Sequence, residues 1–252
     1  MIDLYGHRGA QHEAPESTVS GFRHAIAIGL TAVEFDVQRT ADRQLMVIHD
    51  ATLDRTTNGH GPVADLTLVD LQRLDARAQF ADWPEPCTIP TLEEVLGVAG
   101  SMTSLLVEIK PDAPDQLDWL VPAVIEAVHH HGLAPKVMIS SFDPYALAVA
   151  ARTDPEIRRV INGAWRSRET PNLALAAGVS GTDFDLRQVG QEHIDWARQH
   201  DLWVIGWPGN SAADLAPSPR LRRRRHRLRP PYPGQGPAGR VLSGPRPGPL
   251  PS

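Results

Sequence analysis

The 252-residue sequence is short of several things, and each shortage closes off a class of protein. It holds one cysteine, Cys87, so no internal disulfide can form, and that residue says little about redox compartment. No window reaches 18 consecutive apolar residues, so no membrane-spanning helix is expected. The N-terminal MIDLYGHRGA lacks a basic region followed by an apolar run. No signal peptide is expected from it, and a cytoplasmic location is the expectation. Lysine is nearly absent: Lys110 and Lys136 are the only two among 25 basic residues. A lysine two positions after a strand glutamate, as in Glu108-Ile109-Lys110, is then hard to dismiss as surface filler.

What is present divides in two. The first 216 residues carry 16 basic and 30 acidic residues, a balance of −14. From Pro217 onward there are 9 arginines and no acid, with 10 of the 23 prolines and 5 glycines in 36 residues. Such a composition cannot build a packed core, so a boundary is expected near Ala216 and residues 217–252 are read as a disordered tail. Before the boundary, the length suits one large α/β domain, since barrels commonly run to about 250 residues.

The body is organised around Ala32 to Asp50, AVEFDVQRTADRQLMVIHD. Val33, Phe35 and Val37 alternate with Glu34 and Asp36, so a two-residue period puts both carboxylates on one face of a strand. A second short strand, Leu45 to Ile48, ends in His49-Asp50. Upstream, Ile2 to Gly6 reads as a strand ending in Gly6-His7-Arg8-Gly9, followed by a helix that starts at Pro15-Glu16-Ser17-Thr18 and stops near Gly29. Residues 51–102 are read as an insertion, closed by a helix with Thr91 as N-cap and Glu94 three residues on. Leu105 to Ile109 is read as the fourth strand. Further strands follow at 137–141, 159–161, 181–186 and 202–206, alternating with helices at 117–131, 144–152, 173–177 and 192–200. This alternation predicts a (β/α)8 TIM barrel with a small insertion after the third strand.

Polar residues at the carboxyl ends of parallel strands are where such barrels keep their chemistry. Here those ends collect His7, Arg8, Glu34, Asp36, His49, Glu108 and Lys110. Three carboxylates form a hard-oxygen site that suits Mg²⁺ or Ca²⁺ better than zinc. Arg8 and Lys110 supply fixed positive charge for a phosphate, and two histidines can serve as general base and general acid near neutral pH. Metal, cationic clamp and acid/base pair together describe phosphoester cleavage.

The ordered motifs HRG (His7 to Gly9), PE-T (Pro15 to Thr18), EFDV (Glu34 to Val37), HD (His49-Asp50), LDRTTNGHG (Leu53 to Gly61), IPTLEEVL (Ile89 to Leu96), EIKP (Glu108 to Pro111) and SSF (Ser140 to Phe142) resemble the glycerophosphodiester phosphodiesterase family. Its barrel is related to that of phosphatidylinositol-specific phospholipase C. The resemblance implies metal ligands at Glu34, Asp36 and Glu108, catalytic histidines at His7 and His49, and phosphate-binding cations at Arg8 and Lys110. It also places Trp207 and Phe142 at the substrate pocket. The implied reaction is metal-dependent hydrolysis of a glycerophosphodiester to glycerol 3-phosphate and an alcohol. The expected partner is that small molecule, with neither nucleic acid nor stable membrane association, and the sequence leaves the oligomeric state unknown.

Three departures from the family pattern stand out. Ser17 replaces the usual asparagine of the PENT pattern, and Trp207-Pro208-Gly209-Asn210 replaces W-T-V-N. The closing helix and G-x-D-G-I-x-T-D segment are missing, and the Arg/Pro tail stands in their place, as a frameshift near Ala216 would produce. Two alternatives remain open at this stage. One is a lysophospholipase D acting on a lipid-bearing diester. The other is an inactive truncated barrel whose basic tail binds nucleic acid or an anionic membrane.

Overall fold

In the computed structural model, residues 2–163, 169–207 and 239–243 are described. The first unit is β1 (Ile2–His7), α1 (Val19–Ala27) and β2 (Ala32–Arg39). Thr18 caps α1 by accepting from Gly21 N, and β1 pairs parallel to β2 with His7 opposite Glu34. A tight turn then leads to β3 (Leu45–Val47), and the insertion contains α2 (Leu68–Leu71). The expected capping box of Thr91 and Glu94 opens α3 (Leu92–Ala99). Next come β4 (Ser104–Ile109), α4 (Pro114–His130), β5 (Val137–Ser141) and α5 (Pro144–Thr153). The last alternation is β6 (Arg158–Asn162), α6 (Glu169–Ala176), β7 (Gly181–Asp185), α7 (Gln191–Gln199) and β8 (Trp203–Trp207).

Seven strands, β1, β2, β4, β5, β6, β7 and β8, run parallel to one another. The eighth position is taken by β9 (Gly239–Ser243), which pairs antiparallel to both β8 and β1 and completes the ring. The sequence reading differs in two places. It counts β3 as a stave, whereas β3 is antiparallel to β2, with Val37 opposite Val47. Only a hairpin can be made with a connection this short, since parallel strands need a crossover of a dozen residues or more. The reading also assigns no element to 217–252, yet five of those residues form β9. Val241-Leu242 is the only adjacent aliphatic pair after Pro217, and the facing edges of β1 and β8 carry backbone groups that need partners. The rest of the expected tail lies outside the described residues.

The alternation read in β2 separates two environments. Val33, Phe35 and Val37 face outward into the main core, where they meet Phe22 of α1 and the apolar sides of α3, α4 and α5. Phe22 and Phe35 pack edge to face with ring centroids 5.6 Å apart. The opposite parity points inside the ring. Tyr5, Ala32, Leu106, Met138, Val160 and Ile205 form an apolar floor there. Two residues further along the strands the interior turns polar, with Glu34, Glu108, Ser140, Asn162 and Asp183 all buried. The insertion has its own small core, in which Leu53, Val63, Leu71, Cys87 and Ile89 pack against Met46 and Ile48. No helix of the described residues is long and apolar enough to cross a membrane.

Candidate active site

The turn after β1 is built for close approach. A Cβ on Gly6 would collide with the Gly9 carbonyl oxygen, and Gly9 itself has φ of 85°. Between them Arg8 adopts φ of 53°, a left-handed conformation that a non-glycine residue holds only when its surroundings enforce it. They do so by hydrogen bonds, since Arg8 N donates to Glu34 O at 2.8 Å and Ser17 N donates to Arg8 O at 2.9 Å. Ser17 is left-handed too, with φ of 55°. Asparagine tolerates that region better than serine, and the buried Ser17 hydroxyl makes no hydrogen bond among the described residues.

Strand register gathers the acids. Asp36 lies opposite Glu108, and Glu108 opposite Ser140. Glu34, Asp36 and Glu108 are fully buried, and each offers an oxygen within 4.8 Å of the others. Lys110 Nζ reaches Glu108 Oε1 at 2.5 Å and Asp36 Oδ1 at 2.7 Å. Arg8 Nε stands 3.7 Å from Asp36 Oδ2, an oxygen with no hydrogen bond among the described residues. Burial by itself pushes the Asp36 carboxyl up, but the charges of Lys110, His49 and Arg8 outweigh it and hold the group well below the usual carboxylate range. Lys110 shows the mirror image: burial lowers it, and the Asp36 and Glu108 charges raise it further. Three buried carboxylates facing one lysine, and an arginine shared with Glu16, leave an excess of negative charge in a dry interior. The donors are hard oxygens, and they fit a divalent cation.

The two histidines are held in opposite senses. Gln11 Nε2 donates to His7 Nδ1 at 2.7 Å, which puts the His7 proton on Nε2, 3.6 Å from Glu34 Oε2. His49 Nδ1 donates to Asp50 Oδ1 at 2.6 Å, which leaves the His49 Nε2 lone pair available for protons. Asp50 is itself gripped by Arg55, Nε to Oδ2 at 2.6 Å and Nη2 to Oδ1 at 2.9 Å. These hydrogen bonds lower the Asp50 carboxyl well below its usual range.

The structure therefore brings together His7 and Arg8 at the end of β1, Glu34 and Asp36 within β2, His49 just after the antiparallel β3, and Glu108 and Lys110 at the end of β4. Trp207 and Phe142 sit further round the same rim, at the ends of β8 and β5. The Arg187 guanidinium lies 5.6 Å from the Trp207 ring centroid and is tied to Asp185 at 2.8 Å. Phe142 is 41% exposed. Several participants have no role in the sequence reading. Asn162 Nδ2 donates to Glu108 Oε2 at 2.9 Å across 54 residues, and Gln11, Glu16, Asp50 and Arg55 orient the histidines and Arg8. Glu16, Asp50 and Arg55 do stand inside the quoted motifs, which is the available signal. Asn162 has none, since it lies one residue past the strand expected at 159–161.

Residues 7–222 match the glycerophosphoryl diester phosphodiesterase family. The chain is 32% identical over 227 residues to a glycerophosphodiester phosphodiesterase of Bacillus subtilis, covering 83% of this chain and 77% of that protein. It is 38% identical over 160 residues to one from Caldanaerobacter subterraneus subsp. tengcongensis, covering 62% of this chain and 64% of that protein, slightly less than two thirds of its length. Among solved structures, an Oleispira antarctica phosphodiesterase in complex with the product sn-glycerol-3-phosphate superposes with a TM-score of 0.77 at 26% identity, covering 84% of this chain and 86% of that one. With the match to the family extending over most of its length, this chain belongs to the glycerophosphoryl diester phosphodiesterase family.

Proposed function

We propose that this chain hydrolyses glycerophosphodiesters, such as glycerophosphocholine or glycerophosphoethanolamine, to sn-glycerol 3-phosphate and an alcohol, with Mg²⁺ or Ca²⁺ as cofactor. The observation that carries the reading is the cluster of Glu34, Asp36 and Glu108, buried and within 4.8 Å, set between two cations and two oppositely oriented histidines. The family membership and the product-bound Oleispira relative support the substrate class.

In this reading Glu34, Asp36 and Glu108 hold the cation, which when bound polarises a phosphoryl oxygen and offsets developing charge. Lys110 and Arg8 face the same space and stabilise the phosphoryl oxygens as charge accumulates on them. His49 presents Nε2 as proton acceptor for the attacking oxygen. His7 presents Nε2–H as proton donor for the departing alkoxide, so one proton is taken and one given per P–O bond cleaved. The left-handed Arg8 turn leaves its guanidinium against Glu16 and Asp36.

Incubation of purified protein with a panel of glycerophosphodiesters, with Mg²⁺, Ca²⁺ or chelator, should release sn-glycerol 3-phosphate only with metal. Release of the bare alcohol phosphate instead, or full turnover after exhaustive chelation, contradicts the reading. The exposure of Phe142 at the rim favours a second reading, a diester that carries an acyl chain. Turnover of a lysophospholipid above that of glycerophosphocholine would select it.

A further inference from the structure

Arg55 lies in the insertion and Glu16 in the loop after β1, outside the strands that carry the three-carboxylate cluster. Yet one guanidinium joins the loop that carries His49 to the loop that carries Arg8. Four of its five N–H groups go to two carboxylates. Nε and Nη2 clasp Asp50 at 2.6 and 2.9 Å, and Nη1 and Nη2 clasp Glu16 at 2.8 and 2.8 Å. Beyond Asp50 the next atom is His49 Nδ1 at 2.6 Å, and beyond Glu16 it is Arg8 Nη1 at 3.0 Å. The chain of contacts is therefore His49, Asp50, Arg55, Glu16, Arg8 and, at 3.7 Å, Asp36.

We infer that Arg55 is a positioning residue that locks the proton-accepting histidine and the phosphate-clamping arginine into one frame. The inference deepens the phosphodiesterase reading and rests on it for its kinetic consequences. Three observations distinguish this from an ordinary surface ion pair, which contributes little. Glu16 is buried, with 5% of its side chain exposed, so its charge needs a fixed partner. Both clasps are bidentate, a planar match that lysine cannot reproduce. Each carboxylate passes the constraint to a group with a proposed chemical role: Asp50 sets which His49 nitrogen carries the proton, and Glu16 fixes the direction of the Arg8 fork. The same buried acid accepts from both arginines at Oε1, so displacement of Arg55 leaves Glu16 to reorganise around Arg8.

The test uses the full chain loaded with Mg²⁺, comparing wild type, Arg55→Ala, Arg55→Lys, Glu16→Gln and His49→Ala with the Arg55→Ala, His49→Ala double variant. Arg55→Ala should lower kcat for glycerophosphocholine by roughly 10²-fold, within the range for lost general acid–base catalysis. It should also raise KM and weaken sn-glycerol-3-phosphate binding measured by calorimetry. Arg55→Lys should recover only a small part of either. In the His49→Ala background, Arg55→Ala should leave kcat nearly unchanged while still raising KM, a non-additivity that a general loss of stability does not produce. Glu16→Gln keeps the Asp50 clasp and should raise KM more than it lowers kcat, which keeps the inference testable where Arg55→Ala fails to fold. Independent, multiplicative losses of kcat, or full rescue by lysine, overturn the inference. A wild type that neither turns over diesters nor binds sn-glycerol 3-phosphate overturns the phosphodiesterase reading instead. The frame is then read from His49 ¹⁵N shifts: a single Nδ1-protonated tautomer in wild type that becomes mixed in Arg55→Ala supports it, and an unchanged tautomer overturns it.

Discussion

The two halves of the barrel contrast sharply. Residues 7–110, from β1 through the end of β4, supply all seven proposed catalytic, clamping and metal-holding side chains, and charge crowds their strand ends. The strands from β5 to β8 supply Ser140, Asn162 and Asp183 to the interior and Trp207 to the rim. The apolar floor, by contrast, draws on both halves, from Tyr5 and Ala32 to Val160 and Ile205. In the proposed reading one half carries the chemistry and the other closes the wall around it. A buried carboxylate triad is tolerable only inside a complete ring that holds its counter-charges in place.

That contrast makes mutational effects separable. The largest effect belongs to the first half: His49→Ala or His7→Ala should lower kcat by roughly 10²–10⁴-fold with the fold intact, judged by an unchanged melting temperature. A second-half change of comparable severity should act on stability instead. Ile205 is fully buried in the floor, and Ile205→Ala should cost about 2–5 kcal/mol in denaturant unfolding while kcat below the transition stays near wild type. Asn162 crosses the divide and should have the smallest effect. Its hydrogen bond orients Glu108, so Asn162→Ala should weaken metal affinity by roughly 10–100-fold, read by titrating Mg²⁺ into chelated protein. A melting temperature that falls as far in His49→Ala as in Ile205→Ala would erase the contrast.

The first half was also the more legible in sequence, for a physical reason. A strand with two-residue alternation states which side chains share a face, so Val33, Phe35 and Val37 against Glu34 and Asp36 gave the core and the acids together. The glycines flanking His7-Arg8 announced a tight turn, and Thr91 with Glu94 announced a helix start. None of this encodes pairings between distant loops. The Arg55–Glu16 clasp spans 39 residues, and nothing local in either loop specifies it. The hairpin of β2 and β3 was readable from its short turn, but the strand–helix–strand order before it suggested a parallel stave. Expected and observed strand ends agree within a residue or two, enough for the core, but Asn162 falls just past the expected end of its strand. Gly239–Ser243 lies in a stretch whose composition argues for disorder, and only the open edges of β1 and β8 give it a place in the sheet.

The central proposal is that Glu34, Asp36 and Glu108 hold a divalent cation on which sn-glycerol 3-phosphate release depends. The most direct measurement is product release from chelated protein as Mg²⁺ is added back, in wild type and in Asp36→Ala, beside metal binding by calorimetry on the same samples. The predicted result is saturable recovery in wild type at the concentration where calorimetry detects one bound ion, with neither binding nor recovery in Asp36→Ala. Wild-type activity that is indifferent to Mg²⁺ and Ca²⁺, or an Asp36→Ala variant that binds metal and turns over like wild type, would contradict it.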